Sequence, residues 1–266
     1  MSYWVIKQTE LNLAQFDKSM EIHYPDSVEY LRKPEGYYRR IVQQSNYLDA
    51  IRMIDWDRYI KSNTIVLDLG GGTGWLSAYL SKHDKVDKIY NLDSSRFFLY
   101  EMMPGIVELM MGKIEKIVPI EGLFSPLLFD DCSLDIVVVA SSLHHAENLE
   151  SLLKEIHRVL KKEGSLFILN ETPYSSVKYM TSLIKAFISI SGNTLLHRYK
   201  PVSQNISSSG FLYDPYLNDK AYALWYWKQA IARAGFSMVE LIQTHLPTLK
   251  NSKGLGLAHF ICGKAL

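Results

Sequence analysis

The stretch Thr64-Ile65-Val66-Leu67-Asp68-Leu69-Gly70-Gly71-Gly72-Thr73-Gly74-Trp75 decides how the rest of this 266-residue chain is read. Ile65 to Leu67 form a short apolar run, the pattern of a strand buried on both faces of a parallel sheet. The run ends in an acid and then a glycine-rich turn. Behind the turn, Trp75, Leu76, Ala78, Tyr79 and Leu80 recur at the spacing of an amphipathic helix. Gly70, Gly72 and Gly74 let the backbone turn sharply and come close to a ligand, and Gly71 completes the loop.

Asp68 lies two residues before the first glycine. A diphosphate cofactor would bring a polyanion to this loop, against a carboxylate, whereas a ligand with cationic groups would gain from it. S-adenosylmethionine (SAM) is such a ligand, with a sulfonium, an ammonium and no phosphate. The spelling Asp68-x-Gly70-x-Gly72-x-Gly74 resembles the first motif of the class I SAM-dependent methyltransferases. For the loop alone, a tight strand-to-helix turn without a ligand is the alternative, so the remaining chain has to agree.

With 47% apolar side chains, a chain of this length buries a full core as one domain. A formal net charge of +1 argues against a nucleic-acid partner. Cys132 and Cys262 are the only cysteines and form no Cys-x-x-Cys pair, so neither a disulfide framework nor a metal site is expected. No signal-peptide core is visible at the start, and no apolar run approaches the ~20 residues of a bilayer span. The reading is a cytoplasmic protein with no membrane insertion.

Residues 1–62 precede the first core strand and are rich in aromatic and charged side chains, among them Tyr24, Tyr30, Tyr37, Tyr38, Arg39 and Arg40. Ile41, Tyr47, Leu48, Ile51 and Ile54 recur at helical spacing, which predicts one or two helices over residues 36–60. In the resembled family such helices often cover the cofactor; a packing layer on the sheet edge fits the residues equally well. Tyr37, Tyr38 and Arg39 are site candidates there.

Lys88-Ile89-Tyr90-Asn91-Leu92-Asp93 reads as the second strand, ending in an acid. A carboxylate in that position can accept both hydroxyls of a ribose. The resemblance implies that role for Asp93, with Ser94 lining the same crevice. Residues 95–103 read as a helix that leads through Pro104-Gly105 to a second helical piece. Lys116-Ile117-Val118-Pro119-Ile120-Glu121 is expected as a short third strand near a sheet edge, because proline cannot donate to a ladder. The resemblance implies that Glu121, with Gly122 behind it, meets the adenine amino group, although the usual Gly-Asp spelling is absent.

The apolar run Ile136-Val137-Val138-Val139-Ala140 is expected as the fourth strand, followed by Ser141-Ser142-Leu143-His144-His145 at its carboxyl end, where open α/β sheets bind ligands. This spelling resembles the branch that includes the ubiquinone and menaquinone biosynthesis methyltransferases. It implies that Ala140 and Ser141 face the methionine part of SAM. Each histidine can serve as a general base, since imidazole titrates near neutrality; packing at the strand end is the other reading. A helix over residues 149–160 closes at Lys161-Lys162-Glu163-Gly164, with Gly164 as a left-handed cap. Residues 155–164 are close to the family's Arg-Val-Leu-Lys-Pro-Gly-Gly element, with Lys162-Glu163 in place of Pro-Gly. Residues 165–171 form the fifth strand.

The connection over residues 172–216 is long for a compact domain, which marks a lid or substrate element. It holds a helix over about residues 176–190 and a polar loop over 202–210, with a basic bias from Lys178, Lys185, His197, Arg198 and Lys200. Asn218 is expected to cap a helix over residues 220–234 that ends at Gly235. Residues 236–244 and 257–262 complete the sheet as an antiparallel hairpin.

The expected fold is α/β: a Rossmann-like, seven-stranded, mostly parallel sheet with flanking helices, a C-terminal antiparallel hairpin and a helical lid insertion. It divides into an N-terminal cap (1–62), a SAM-binding core (63–171), the insertion (172–216) and a C-terminal completion of the sheet (217–266). The resemblance implies methyl transfer from SAM to a small molecule, leaving S-adenosylhomocysteine. His144 and His145 are the catalytic candidates. Asp68, Gly70, Gly71, Gly72, Gly74, Asp93, Ser94, Glu121, Gly122, Ala140 and Ser141 are the cofactor candidates. An NAD-dependent oxidoreductase would prefer a Gly-x-Gly-x-x-Gly turn, but Ser77 stands where the third glycine belongs after Gly72 and Gly74. A non-catalytic SAM-binding module, or the inactive partner of a heterodimer, is the remaining alternative.

Overall fold

The computed structural model describes residues 2–4, 32–196, 205–207, 210–214 and 219–265. The apolar runs assemble into an eight-stranded sheet. In chain order its strands are β1 (Ser2–Trp4), β2 (Thr64–Leu69), β3 (Val86–Asp93), β4 (Ile117–Gly122), β5 (Leu134–Ala140) and β6 (Leu160–Glu171). Beyond a separate small sheet of β7 (Asn205–Ile206), β8 (Leu212–Tyr213) and β9 (Lys220–Ala221), β10 (Phe236–Pro247) and β11 (Gly256–Lys264) return to it. The spatial order is β1-β4-β3-β2-β5-β6-β11-β10. The first six strands pair in parallel, and the last two join antiparallel.

All seven expected strands are present, and the hairpin is where it was expected. The eighth is a correction: β1 adds to the outer side of β4, with Ser2 opposite Ile120 and Trp4 opposite Gly122. β4 is short and next to the edge, as expected, and Pro119 is accommodated opposite Asn91 of β3, outside the three residues that β1 pairs. Strands β3, β5 and β6 also begin earlier than their most apolar stretches suggest. The chain leaves β2 toward β3 on one side, and β5 lies on the other. Their carboxyl ends diverge there and open the crevice in which sheets of this kind bind ligands.

Alternation along the strands builds a core on each face. On one face, Leu67 and Leu69 pack with Leu152, Leu153 and Ile156 of α5 (Leu149–Val159) and with Trp227 and Ile231 of α7 (Leu224–Arg233). On the other, Val66, Ile89, Val138 and Phe167 meet Leu48 and Ile51 of α2 (Tyr47–Ile51), Leu76 of α3 (Trp75–Leu80) and Ile106 of α4 (Met103–Leu109). The N-terminal helical segment is finer-grained than its spacing implies. A short α1 (Pro34–Tyr38) runs into a π-turn over Arg39–Gln44 before α2 begins.

Three local expectations are revised. Pro104 and Gly105 do not separate two helices: a π-helical segment over Phe98–Met102 passes straight into α4, whose first turn holds Pro104. Gly164 is not a left-handed cap, because α5 ends at Val159 and Leu160 is already extended, starting β6. Helix α7 starts at Leu224 behind Ala223, since Lys220–Ala221 is spent on β9; the proposed cap Asn218 lies outside the described residues. So do Tyr24, Tyr30, His197, Arg198, Lys200 and much of the 202–210 loop. Gly235, by contrast, has φ 89° and ends α7 as expected.

The insertion carries α6 (Ser176–Leu196). Tyr179 and Ala186 on its inner face join Leu212 and Ala223 in a small core of their own, beside the β7-β8-β9 sheet. Val177, Met180, Ile184, Phe187 and Ile188 point outward and are exposed. No described helix is long and apolar enough to cross a membrane.

Candidate active site

The glycine loop is tied to β3 by its own backbone: Gly70 N–H donates to Leu92 O at 2.8 Å and Gly71 N–H at 3.2 Å. Gly70, Gly72 and Gly74 all lie in the left-handed region, at φ 69°, 53° and 72°. The space around them is unequal. A Cβ on Gly70 would meet Ser142 Oγ at 2.7 Å, one on Gly71 would overlap the Asn91 amide oxygen, and one on Gly74 would press on Met103 at 2.8 Å. At Gly72 the nearest atoms, Phe98 Cδ2 and Asp93 Oδ2, are 3.8 and 3.9 Å away. A side chain there would project into the crevice beside Asp93.

Asp68 is fully buried. Its Oδ2 accepts the Ser77 hydroxyl at 2.7 Å, while Oδ1 has no hydrogen-bond partner. Burial pushes this carboxyl up to about 7, against the lowering effect of Ser77. Asp93 is held rigidly at the end of β3, with Oδ2 accepting the Gly72 N–H at 2.9 Å and Oδ1 the Ser95 N–H at 2.8 Å. Burial raises its pKa as well, opposed by those backbone donors. Glu121 is directly opposite Asp93 in the β3–β4 register and is buried. Its Oε2 pairs with Arg96 at 3.3 Å. Ser94 is half-buried and Gly122 buried at these same strand ends.

The structure thus gathers Asp68, the glycines, Asp93, Ser94, Glu121 and Gly122 along one edge of the crevice. An unpaired buried carboxylate oxygen beside a backbone-lined loop is a poor seat for a diphosphate and a good one for a cationic ligand. That fits SAM.

The other wall is built by the ends of β5 and β6. Ala140 closes β5, and Ser141 follows in the left-handed region at φ 52°, an unusual conformation for a non-glycine residue that re-aims the chain at this point. Its hydroxyl lies 3.2 Å from the Tyr47 hydroxyl. Tyr47 stacks on Trp75 with ring centroids 6.3 Å apart, which brings the N-terminal segment over the crevice. Tyr37 packs on Phe98 beside the glycine loop.

His144 and His145 sit on the single 3₁₀ turn Leu143–His145. His144 Nδ1 lies 3.0 Å from Oε2 of the buried Glu171 at the end of β6. Burial alone would lower the His144 pKa, but Glu171 and Asp219 outweigh it and the net direction is upward. Asp219 approaches both rings, at 3.9 Å from His144 Nε2 and 2.8 Å from His145 Nδ1. Lys220, the next residue, donates to Ala146 O at 2.7 Å and pins β9 onto the histidine loop.

Sequence reading missed Glu171, Asp219 and the site position of Tyr47. Glu171 was legible as a strand-end acid on the binding side. Asp219 carried no signal, because only the docking of the segment ahead of β9 onto the histidine loop brings it to the histidines.

Residues 67–168 match the family described as a methyltransferase domain. A ubiquinone/menaquinone biosynthesis C-methyltransferase of Blochmanniella pennsylvanica is 30% identical over 181 residues, 66% of either chain. A demethylmenaquinone methyltransferase of Chlorobaculum tepidum is 29% identical over 104 residues, 39% of either chain. The chain therefore spans between 39% and 66% of the length of these curated relatives. Among solved structures, the 1,6-didemethyltoxoflavin-N1-methyltransferase of Burkholderia thailandensis, with S-adenosylhomocysteine bound, superposes with a TM-score of 0.60 over 98% of this chain and 92% of that one. At 14% identity that likeness speaks to the fold. Residues 67–168 thus match a methyltransferase domain, and the chain is similar to methyltransferases of ubiquinone and menaquinone biosynthesis.

Proposed function

We propose that this protein transfers the methyl group of SAM to a small-molecule acceptor. The observation that carries the reading is the pairing of a glycine-lined loop with two strand-end acids, the buried Asp68, which keeps an unpartnered oxygen, and the half-buried Asp93, held by the Gly72 N–H. SAM supplies an electrophilic methyl group on a sulfonium: the acceptor's bond to carbon forms as the carbon–sulfur bond breaks, and its electron pair stays on sulfur in S-adenosylhomocysteine.

The chain's own part is placement and exclusion of water. Asp68 and the loop backbone hold the cationic end of the cofactor. Asp93 and Ser94 receive the ribose, Glu121 and Gly122 border the adenine, and Ala140 and Ser141 flank the methionine part. His144 and His145 act on the acceptor side, where they hold the acceptor and bring about the loss of its proton. The described part of the N-terminal segment, residues 34–51, caps the cofactor, with Tyr47 and Tyr37 as contact points, and α6 with the small sheet beside it forms the lid that selects the acceptor. The near-zero net charge supports no nucleic acid. Two unpaired cysteines support the cytoplasm as its compartment.

The relatives include a carbon methyltransferase and a structural neighbour that methylates nitrogen, so the acceptor panel must span both, together with hydroxylated aromatics. The test is formation of S-adenosylhomocysteine from SAM with purified protein and that panel. Acceptor-dependent product is expected. SAM binding with no turnover on any acceptor would favour the non-catalytic module instead.

A further inference from the structure

We propose that His144, His145 and Asp219 bind a divalent first-row transition ion of the zinc class, which holds an oxygen-bearing acceptor beside the methyl group. The proposal rests on the methyltransferase reading for the acceptor's role, though not for the ion site itself.

One ligand atom from each of the three residues lies within 4.8 Å of the others. His145 Nδ1 and Asp219 Oδ1 are only 2.8 Å apart, yet Oδ1 accepts no hydrogen bond. The close pair and the unpartnered oxygen bring two donor atoms side by side at the mouth of the histidine loop. A tetrahedral ion with bonds of about 2.0–2.2 Å sets its ligand atoms about 3.4 Å apart, so the His145–Asp219 pair opens slightly and the 4.8 Å span closes for the three to share one ion. His144 Nε2 is 3.9 Å from Asp219 Oδ2 and completes the set after a small closure.

The surroundings are also those of a metal ligand. Glu171 engages His144 through Nδ1 at 3.0 Å, so a neutral ring with its proton on that side would offer Nε2 to an ion beside Asp219. A carboxylate behind a histidine is how metal-bound imidazoles are oriented and made more basic. Glu171 is itself buried, with its second oxygen unpartnered, so it has no solvent to compete for it. Lys220 clamps the Asp219 segment to Ala146 O, and the Asp214 N–H donates to Asp219 O at 3.0 Å. Two imidazoles and one carboxylate form a donor set for zinc, manganese or iron rather than for calcium or magnesium. Three protein ligands leave a position for an outside oxygen, whose proton the ion would make easier to lose.

The test uses the whole chain, stripped with a chelator and titrated calorimetrically with Zn²⁺, then loaded with Co²⁺ for visible absorption. One equivalent of zinc and cobalt bands of a low-coordinate nitrogen–oxygen site are expected. Asp219→Asn and His145→Ala should each weaken zinc binding at least tenfold, and Glu171→Gln about tenfold through loss of ring positioning. SAM affinity in these variants should stay within about threefold, which reports that they fold; His145→Gln keeps the side-chain bulk and should lose zinc equally. No zinc uptake by the native chain, or uptake unchanged in Asp219→Asn and His145→Gln, would overturn the proposal and leave ordinary ion pairs. Zinc binding of the expected kind without SAM binding would uphold the ion site and contradict the methyltransferase reading.

Discussion

Asp68 keeps one carboxylate oxygen on Ser77 and the other unpaired, and burial holds its pKa near 7. An unfolded aspartate titrates near 3.8. With the folded value raised, its contribution to stability is fully present below about 4 and is lost as pH rises through about 7. A cationic cofactor reverses that loss by favouring the carboxylate. SAM affinity should therefore rise between pH 5.5 and 7, by up to about tenfold per pH unit, and the thermal shift caused by saturating SAM should grow in step. Asp68→Asn should flatten both profiles; a native profile that is already flat would remove Asp68 from the cofactor site. For Asp93, held by two backbone donors at the ribose position, Asp93→Ala should weaken SAM by about one to two kcal/mol, roughly 5- to 30-fold by calorimetry. Unchanged affinity would mean that the ribose lies elsewhere. Gly72→Val adds bulk where, among the described residues and apart from its two chain neighbours, the nearest atom is 3.8 Å away, and forces a branched residue to φ 53°. The variant should lose SAM binding; a folded Gly72→Val protein that binds normally would rule out this loop.

Helix α6 presents Val177, Met180, Ile184, Phe187 and Ile188 outward, at three- and four-residue spacings that place them on one side of the helix. A compact domain gains nothing from exposing such a row unless something apolar meets it during the working cycle. Replacing Met180, Ile184 and Phe187 together with asparagine should leave SAM affinity within a few-fold and lower methyl transfer at least tenfold, read as turnover against cofactor affinity. Equal loss of both would place the helix over the cofactor, and undiminished turnover would make it a passive surface. Replacing residues 202–210 with a glycine-serine linker should give the same split. Elements of this kind were only partly legible. The spacing predicted a helix over 176–190, but the three two-residue strands beside it are too short to leave a period, and β9 took residues that otherwise read as the start of α7. Gly164 failed as a cap for a related reason: a glycine after a helix signals a left-handed turn only if the chain does not go directly into a strand, as it does at Leu160.

Across the whole molecule, the parallel sheet was readable because each central strand is buried on both faces and so spells an uninterrupted apolar run, as Val66–Leu67 and Val137–Val139 do. The cofactor wall was readable because a ligand at the switch point needs its acids and glycines within a few residues of strand ends. The acceptor wall was not. His144, Glu171, Asp219 and Tyr47 come from four separate segments, and nothing local in any of them states that they meet. Added strand β1 escaped for a different reason: three residues that pair at a sheet edge are too short a run to leave a period in the sequence. The central claim is that the crevice between β2 and β5 is a SAM site serving methyl transfer, and calorimetric titration of the native chain with SAM and, separately, with NAD tests it most directly. A saturable SAM isotherm in the micromolar range, about −7 to −9 kcal/mol, with no heat from NAD, is the predicted result. Saturable NAD binding with none for SAM would contradict the account.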